Sequence, residues 1–241
     1  MSMRTAPFLA ALAAGALSLG LMSPAGAASG ERIVGRANCA GGGTIRIAGS
    51  LDKDGNAKAV AHLWGVDRAH WGGGVMAGLD QSTMDNLDNS DPEDLVHTYV
   101  ADHGELTVVA KQPGATTPTA VAAFMTPKLS RMCMVSVVQD GKKYAVTGML
   151  EGLAVATGQR QAVAAFAMGE TNHTYRLRFT LTGKGGHVQT RVVEKTVKKG
   201  DFGLQVTVRD FKRLSSFKRV AVRIVDLSSS KTKPQSYAIV H

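Results

Sequence analysis

Apolar and polar side chains alternate with a period of two along most of this chain, and that alternation most narrows what it can fold into. Thr44-Ile45-Arg46-Ile47-Ala48, Leu106-Thr107-Val108-Val109, Tyr175-Arg176-Leu177-Arg178-Phe179-Thr180-Leu181, Leu204-Gln205-Val206-Thr207-Val208 and Val220-Ala221-Val222-Arg223-Ile224-Val225 are the clearest runs. An extended backbone turns every second side chain to the same face, so each run predicts a half-buried strand. Asp52-Lys53-Asp54-Gly55-Asn56, Asp140-Gly141, Gly183-Lys184-Gly185-Gly186 and Lys199-Gly200-Asp201 separate such runs. These residue types accept a positive φ or bond their own backbone, which is what a hairpin turn requires. Beyond the N-terminal segment, no long window keeps a helical period. Ala162 to Ala167 has helical propensity, but its turn-rich flanks favour a buried strand.

The strand pattern occurs twice. Ala59 to Asp67 lies over Ala162 to Glu170 at an offset of 103, Val96 to Val100 over Val188 to Val192 at 92, and Leu106 to Val108 over Leu204 to Val206 at 98. Val121 to Phe124 lies over Val220 to Arg223 at 99, and Met134 to Val137 over Tyr237 to Val240 at 103. Order is kept while turn lengths change, which is the mark of an internal repeat. About seven short strands per hundred residues fits a Greek-key sandwich, so the expected fold is all-β, two tandem immunoglobulin-like domains. Their expected extents are 28–140 and 141–241.

Residues 1–27 read as a cleavable signal peptide: Arg4 is the only charge before Glu31, Pro7 to Met22 is rich in Ala and Leu, and Ala25-Gly26-Ala27 supplies small residues for cleavage. The apolar stretch, roughly 15 residues against the ~20 needed to span a bilayer, is too short for an anchor. A secreted chain meets an oxidising compartment, so its two cysteines, Cys39 and Cys133, are expected to form a disulfide. No basic residue or histidine motif flanks Cys133 to suggest a reactive thiol.

Charge is unevenly divided. Residues 29–150 hold 11 Lys and Arg against 13 Asp and Glu, whereas residues 151–241 hold 16 against 6. The first half carries an acidic stretch, 79–94, with Asp80, Asp85, Asp88, Asp91, Glu93 and Asp94, and no counterpart in the second half. Calcium favours such oxygen-rich loops, but the spacing matches no established one, and a solvated loop is the simpler expectation.

Motifs for catalysis are lacking. The sequence after the signal segment has no G-x-S-x-G elbow, no H-E-x-x-H pair and no phosphate-cradling loop leading into a helix, and Gly72-Gly73-Gly74 is expected between strands. His62, His70, His97, His103 and His173 show no spacing that would converge three or four ligands on zinc. Carboxylate pairs for glycoside hydrolysis leave no spacing signature, but sugar sites favour aromatic faces, and aromatics form 5% of the chain. Trp64 is expected in the core. No catalytic, cofactor-binding or metal residues are assigned.

The basic second half is the strongest functional lead. Lys198, Lys199, Lys212 and Arg213 are the expected contacts for an anionic surface polymer or an acidic protein. Sequence-specific nucleic-acid recognition is not expected, because no reading motif is present and export removes the chain from the genome. The expectation is an exported, non-catalytic interaction protein, with a secreted hydrolase or a structural spacer in an extracellular assembly as alternatives.

Overall fold

The computed structural model describes residues 32–39, 42–66, 71–78, 97–101, 105–112, 117–126, 131–148 and 151–241. The expected signal peptide, 1–27, and the acidic stretch, 79–94, lie outside the described residues. Among the described residues sixteen strands follow one another: β1 Arg32–Asn38, β2 Thr44–Leu51, β3 Ala57–Trp64, β4 Trp71–Ala77, β5 His97–Ala101, β6 Glu105–Gln112, β7 Ala120–Met125 and β8 Met132–Asp140. The second half holds β9 Lys143–Gly148, β10 Glu151–Ala156, β11 Ala162–Ala167, β12 Thr174–Gly183, β13 Val188–Thr196, β14 Leu204–Val208, β15 Phe217–Asp226 and β16 Gln235–Val240. Among the described residues the only helical piece is a 3-10 turn at Leu214–Ser216. The chain is all-β.

The described strands form two eight-stranded antiparallel sheets. The first is ordered β13-β12-β15-β16-β1-β2-β3-β6 and the second β14-β11-β10-β9-β8-β7-β4-β5. Both sheets run through both halves of the chain. In the first sheet the seam is the pairing of β16 with β1, from Val34 opposite Val240 to Ala37 opposite Tyr237. In the second it is the β8–β9 hairpin, with Asp140 opposite Lys143. The two halves expected as tandem sandwiches are therefore joined edge to edge rather than by a linker.

Strand order repeats with the sheets exchanged. β1-β2-β3-β6 over β8-β7-β4-β5 in the first half becomes β9-β10-β11-β14 over β16-β15-β12-β13 in the second. The five segment pairs aligned by sequence occupy corresponding places. In each half, two strands return beside earlier ones that are not their neighbours in sequence: β6 beside β3 and β7 beside β4 in the first, β14 beside β11 and β15 beside β12 in the second. This order differs from the A-B-E-D and C-F-G sheets of an immunoglobulin constant domain, a distinction that strand count cannot make.

Burial follows the pleat. β12 alternates Tyr175, Leu177, Phe179 and Leu181 inward with Arg176 and Arg178 outward, and β14 buries Leu204, Val206 and Val208. One continuous core cluster includes Ile33, Leu63 and Trp71 from the first half and Leu153, Phe179 and Ile239 from the second. Two sequence expectations change here. Gly72-Gly73-Gly74 lies inside β4, where a Cβ on Gly73 would stand 2.1 Å from the Ala123 carbonyl oxygen, so the run permits close backbone approach within the sheet. Trp64 is not core: Leu63 takes the inward position with 0% exposure, while Trp64 is half-buried on the outer face.

Cys39, just after β1, and Cys133, in β8, are joined by a disulfide with Cα atoms 5.1 Å apart. It ties the first sheet to the second at one end of the first half. In β16, which fills in the second half the place of β8, Tyr237 rests on Gly148 and donates its hydroxyl proton to Glu151 Oε2 at 2.5 Å. Burial, with the neighbouring Glu151 charge, pushes the Tyr237 hydroxyl far above its ordinary pKa.

Candidate functional site

The four cations expected to contact a partner are exposed, but they form two couples rather than one cluster. Lys198 and Lys199 follow β13, in a turn where the Lys198 backbone N–H donates to Asp201 Oδ2 at 3.0 Å. Lys212 and Arg213 precede the 3-10 turn beside the start of β13. Gln189 clamps this second couple, accepting from the Lys212 N–H at 2.9 Å and donating to the Lys212 carbonyl at 2.8 Å. The strand from Gln189 to Thr196 keeps the couples more than about 20 Å apart at ~3.3 Å per residue. Two other cations of β13 serve the fold. Lys195 Nζ donates to the Gln205 carbonyl at 3.3 Å, and Arg191 donates to the Asp210 carbonyl at 3.2 Å while lying over Phe211. Both straps tie the edge of one sheet to that of the other.

The outer face of the first sheet carries a larger cationic feature, which attention to the second half alone missed. Arg178 stands directly opposite Arg223 across β12 and β15, Arg36 opposite Arg46 across β1 and β2, and Lys58 opposite Lys111 across β3 and β6. All six are exposed. Like charges directly opposite each other destabilise a sheet, so three such pairs on one face cost the fold something. Among the described residues, the salt bridge on this face joins Arg176 to Glu194 at 2.7 Å, and none reaches the three like-charge pairs. Arg36 lies over the Trp64 ring, 5.0 Å from its centroid. Asp52, in the turn after β2, is held below its ordinary pKa chiefly by hydrogen bonds from Asn56, with a smaller contribution from Lys111.

A second feature lies between the β11–β12 and β15–β16 connections. A cavity of about 340 Å³ is lined by residues including Met168, Glu170, Tyr175, Asp226, Lys233 and Gln235. At its edge His173 Nδ1 lies 2.8 Å from Asp226 Oδ2, and Nε2 lies 3.2 Å from Glu170 Oε2. The Asp226 side chain is 1% exposed and also accepts from the Ser228 N–H at 2.8 Å and the Thr232 hydroxyl at 3.3 Å. With its lone pairs engaged by these donors, Asp226 acts as a clamp between two connections. Among the described residues, no group of three or more His, Cys, Asp or Glu side chains is placed to hold a metal.

The clamp predicts a pH response. The hydrogen bond that His173 donates to Asp226 raises the His173 pKa, with the Asp226 and Glu170 charges adding to it and burial opposing. Burial pushes Asp226 up, but hydrogen bonds from His173 and the Ser228 N–H outweigh it and leave the carboxyl below its ordinary range. A raised histidine pKa stabilises the fold fully below the unfolded value, about 6.5, and that contribution is lost as pH rises through the folded value. Melting curves from acidic to alkaline pH should therefore show His173→Gln less stable than the parent at pH 6, with the gap narrowing toward pH 9. A gap that is constant over this range would show that the protonated imidazole contributes nothing.

Neither a family model, nor a curated protein, nor a solved structure matches the chain. Among the described residues no helix is long and apolar enough to cross a membrane.

Proposed function

We infer that the chain is an exported, non-catalytic interaction protein that engages an anionic partner, a surface polymer or an acidic protein, through charge. The observation that carries this reading is the excess of 16 basic over 6 acidic residues in 151–241, many of the basic side chains lying exposed on strand faces and turns. Such an arrangement raises the local concentration of anions and speeds encounter with them. Lys198, Lys199, Lys212 and Arg213 are the contacts proposed for the second half. The halves, 28–140 and 141–241, are read as duplicated sandwich units fused through their sheets.

Native protein should be retained on an anionic matrix and released by about 0.5 M salt, where screening shortens charge interactions to a few ångströms. Replacing Lys198, Lys199, Lys212 and Arg213 together with Gln should move elution to lower salt. Passage of the parent through the matrix at low ionic strength would overturn the reading.

A further inference from the structure

We propose that the outer face of the first sheet is the principal binding surface, and that its ligand is a linear acidic polysaccharide lying diagonally across both halves. This inference rests on the anionic-partner reading above and moves its centre from the loops of the second half to a sheet face that crosses the seam.

The strand register fixes the layout. Arg178 pairs with Arg223, which faces Ser236 on β16. Two residues along β16, Ala238 faces Arg36, which in turn faces Arg46. Four residues further in the same direction, the row from Arg32 runs through Ser50 to Lys58 and Lys111. At ~4.8 Å between strands and ~3.4 Å along them, successive pairs are about 16 Å apart and the three pairs form a diagonal of about 32 Å. The direction of advance does not reverse, so one extended chain meets all three in order.

The face also selects among polyanions. Single-stranded nucleic acid binds by stacking bases on aromatic platforms, but Trp64 already lies beneath the Arg36 guanidinium. A bilayer is planar, whereas an eight-stranded sheet is twisted and meets a plane over only part of its width. Small hydroxyl side chains accompany the guanidinium groups: Thr180 and Thr190 face each other beside the Arg178 row, and Ser236 lies next to Arg223. They supply hydrogen-bond partners for sugar hydroxyls, which an inorganic polyphosphate lacks. The planar forks of paired arginines suit carboxylate or sulfate groups carried on the same chain.

The test uses the intact protein and a ladder of oligogalacturonates from monomer to polymer, with polyphosphate, phosphatidylglycerol vesicles and poly-dT as competing probes. Affinity should climb with chain length until an oligomer spans the diagonal, and the galacturonate polymer should bind more tightly than the other three probes. R178Q/R223Q and R36Q/R46Q should each weaken the polymer at least tenfold, showing that both sides of the seam are used. R178Q/R223Q should melt at or above the parent temperature, because a like-charge pair has been removed, whereas R36Q/R46Q also gives up the contact of Arg36 with Trp64; loss of binding by R178Q/R223Q without loss of stability separates a contact role from a folding one. Loss confined to the Lys198, Lys199, Lys212 and Arg213 variant would overturn this inference while leaving the proposed function standing. Absence of binding to every probe at low salt would overturn both. Length-independent affinity, or a tighter grip on polyphosphate, vesicles or poly-dT, would overturn the polysaccharide assignment.

Discussion

Replacing Cys39 and Cys133 together with serine should lower the melting temperature by about 8–20 °C. The bridge joins residues 94 positions apart. Closing a loop of that length removes enough freedom from the unfolded chain to stabilise the fold by about 4 to 5 kcal/mol in the chain-entropy view. For a chain of 241 residues, each kcal/mol corresponds to about 2–4 °C. Because the core runs without interruption through both halves, the loss should shift a single transition rather than release the first half alone. Calorimetry of the double variant, with the parent under reducing conditions beside it, measures this. A shift under about 2 °C would mean that the unfolded chain is already restricted without the bridge.

The second large effect is expected at a residue with no side chain. Gly49 in β2 points into the sandwich, where an added Cβ would stand 1.6 Å from the Pro118 carbonyl oxygen and 3.3 Å from the Ala120 Cβ. The obstacle is backbone, so a rotamer change cannot relieve it. Gly49→Ala must push residues 117–119 away from β2, straining the buried hydrogen bond between the Thr117 and Thr119 hydroxyls, 2.7 Å apart. Overpacking of this kind costs about 1–3 kcal/mol, and more where backbone must move. Chemical denaturation should place Gly49→Ala well below the parent. Gly141→Asn supplies the control: Gly141 has φ +52, a Cβ added there would meet nothing within 4 Å, and asparagine tolerates that backbone, so its stability should stay near the parent's. Equal stability of Gly49→Ala and the parent would show that the 117–119 segment yields without cost.

Much of the fold was legible because its signals are local. Alternation marked β2, β12, β14 and β15, and turn residues separated most of their neighbours. The repeat was legible in its order but not in its phase. The offset of 103 laid Leu63 over Phe166, yet the inward residues are Ala59, Ala61 and Leu63 in β3 and Val163, Ala165 and Ala167 in β11, which match at 104. A slip of one residue exchanges the two faces of a strand, and runs such as Ala162-Val163-Ala164-Ala165 hold small apolar residues on both, leaving nothing local to choose between them. That ambiguity also placed Trp64 in the core.

The cationic pairs of the outer face were illegible for a different reason. Arg178 and Arg223 are 45 positions apart, and Lys58 and Lys111 are 53 apart. Linear counting weights them by half and finds the second half basic. Pairing across strands instead assembles one surface from both halves, including Arg36, Arg46 and Lys58 from the half with no net positive charge. The His173–Asp226 clamp, 53 residues apart in the chain, was hidden in the same way.

By itself, then, the sequence determined the strands, the turns between most of them, their twofold order and the two cysteines available to pair, since each depends on residues close in the chain or on simple count. Only the tertiary structure decided that the halves share both sheets and which face each strand turns outward. It alone placed six like-charged side chains on one surface, because register is set by the packing of a whole sheet and not by any one strand.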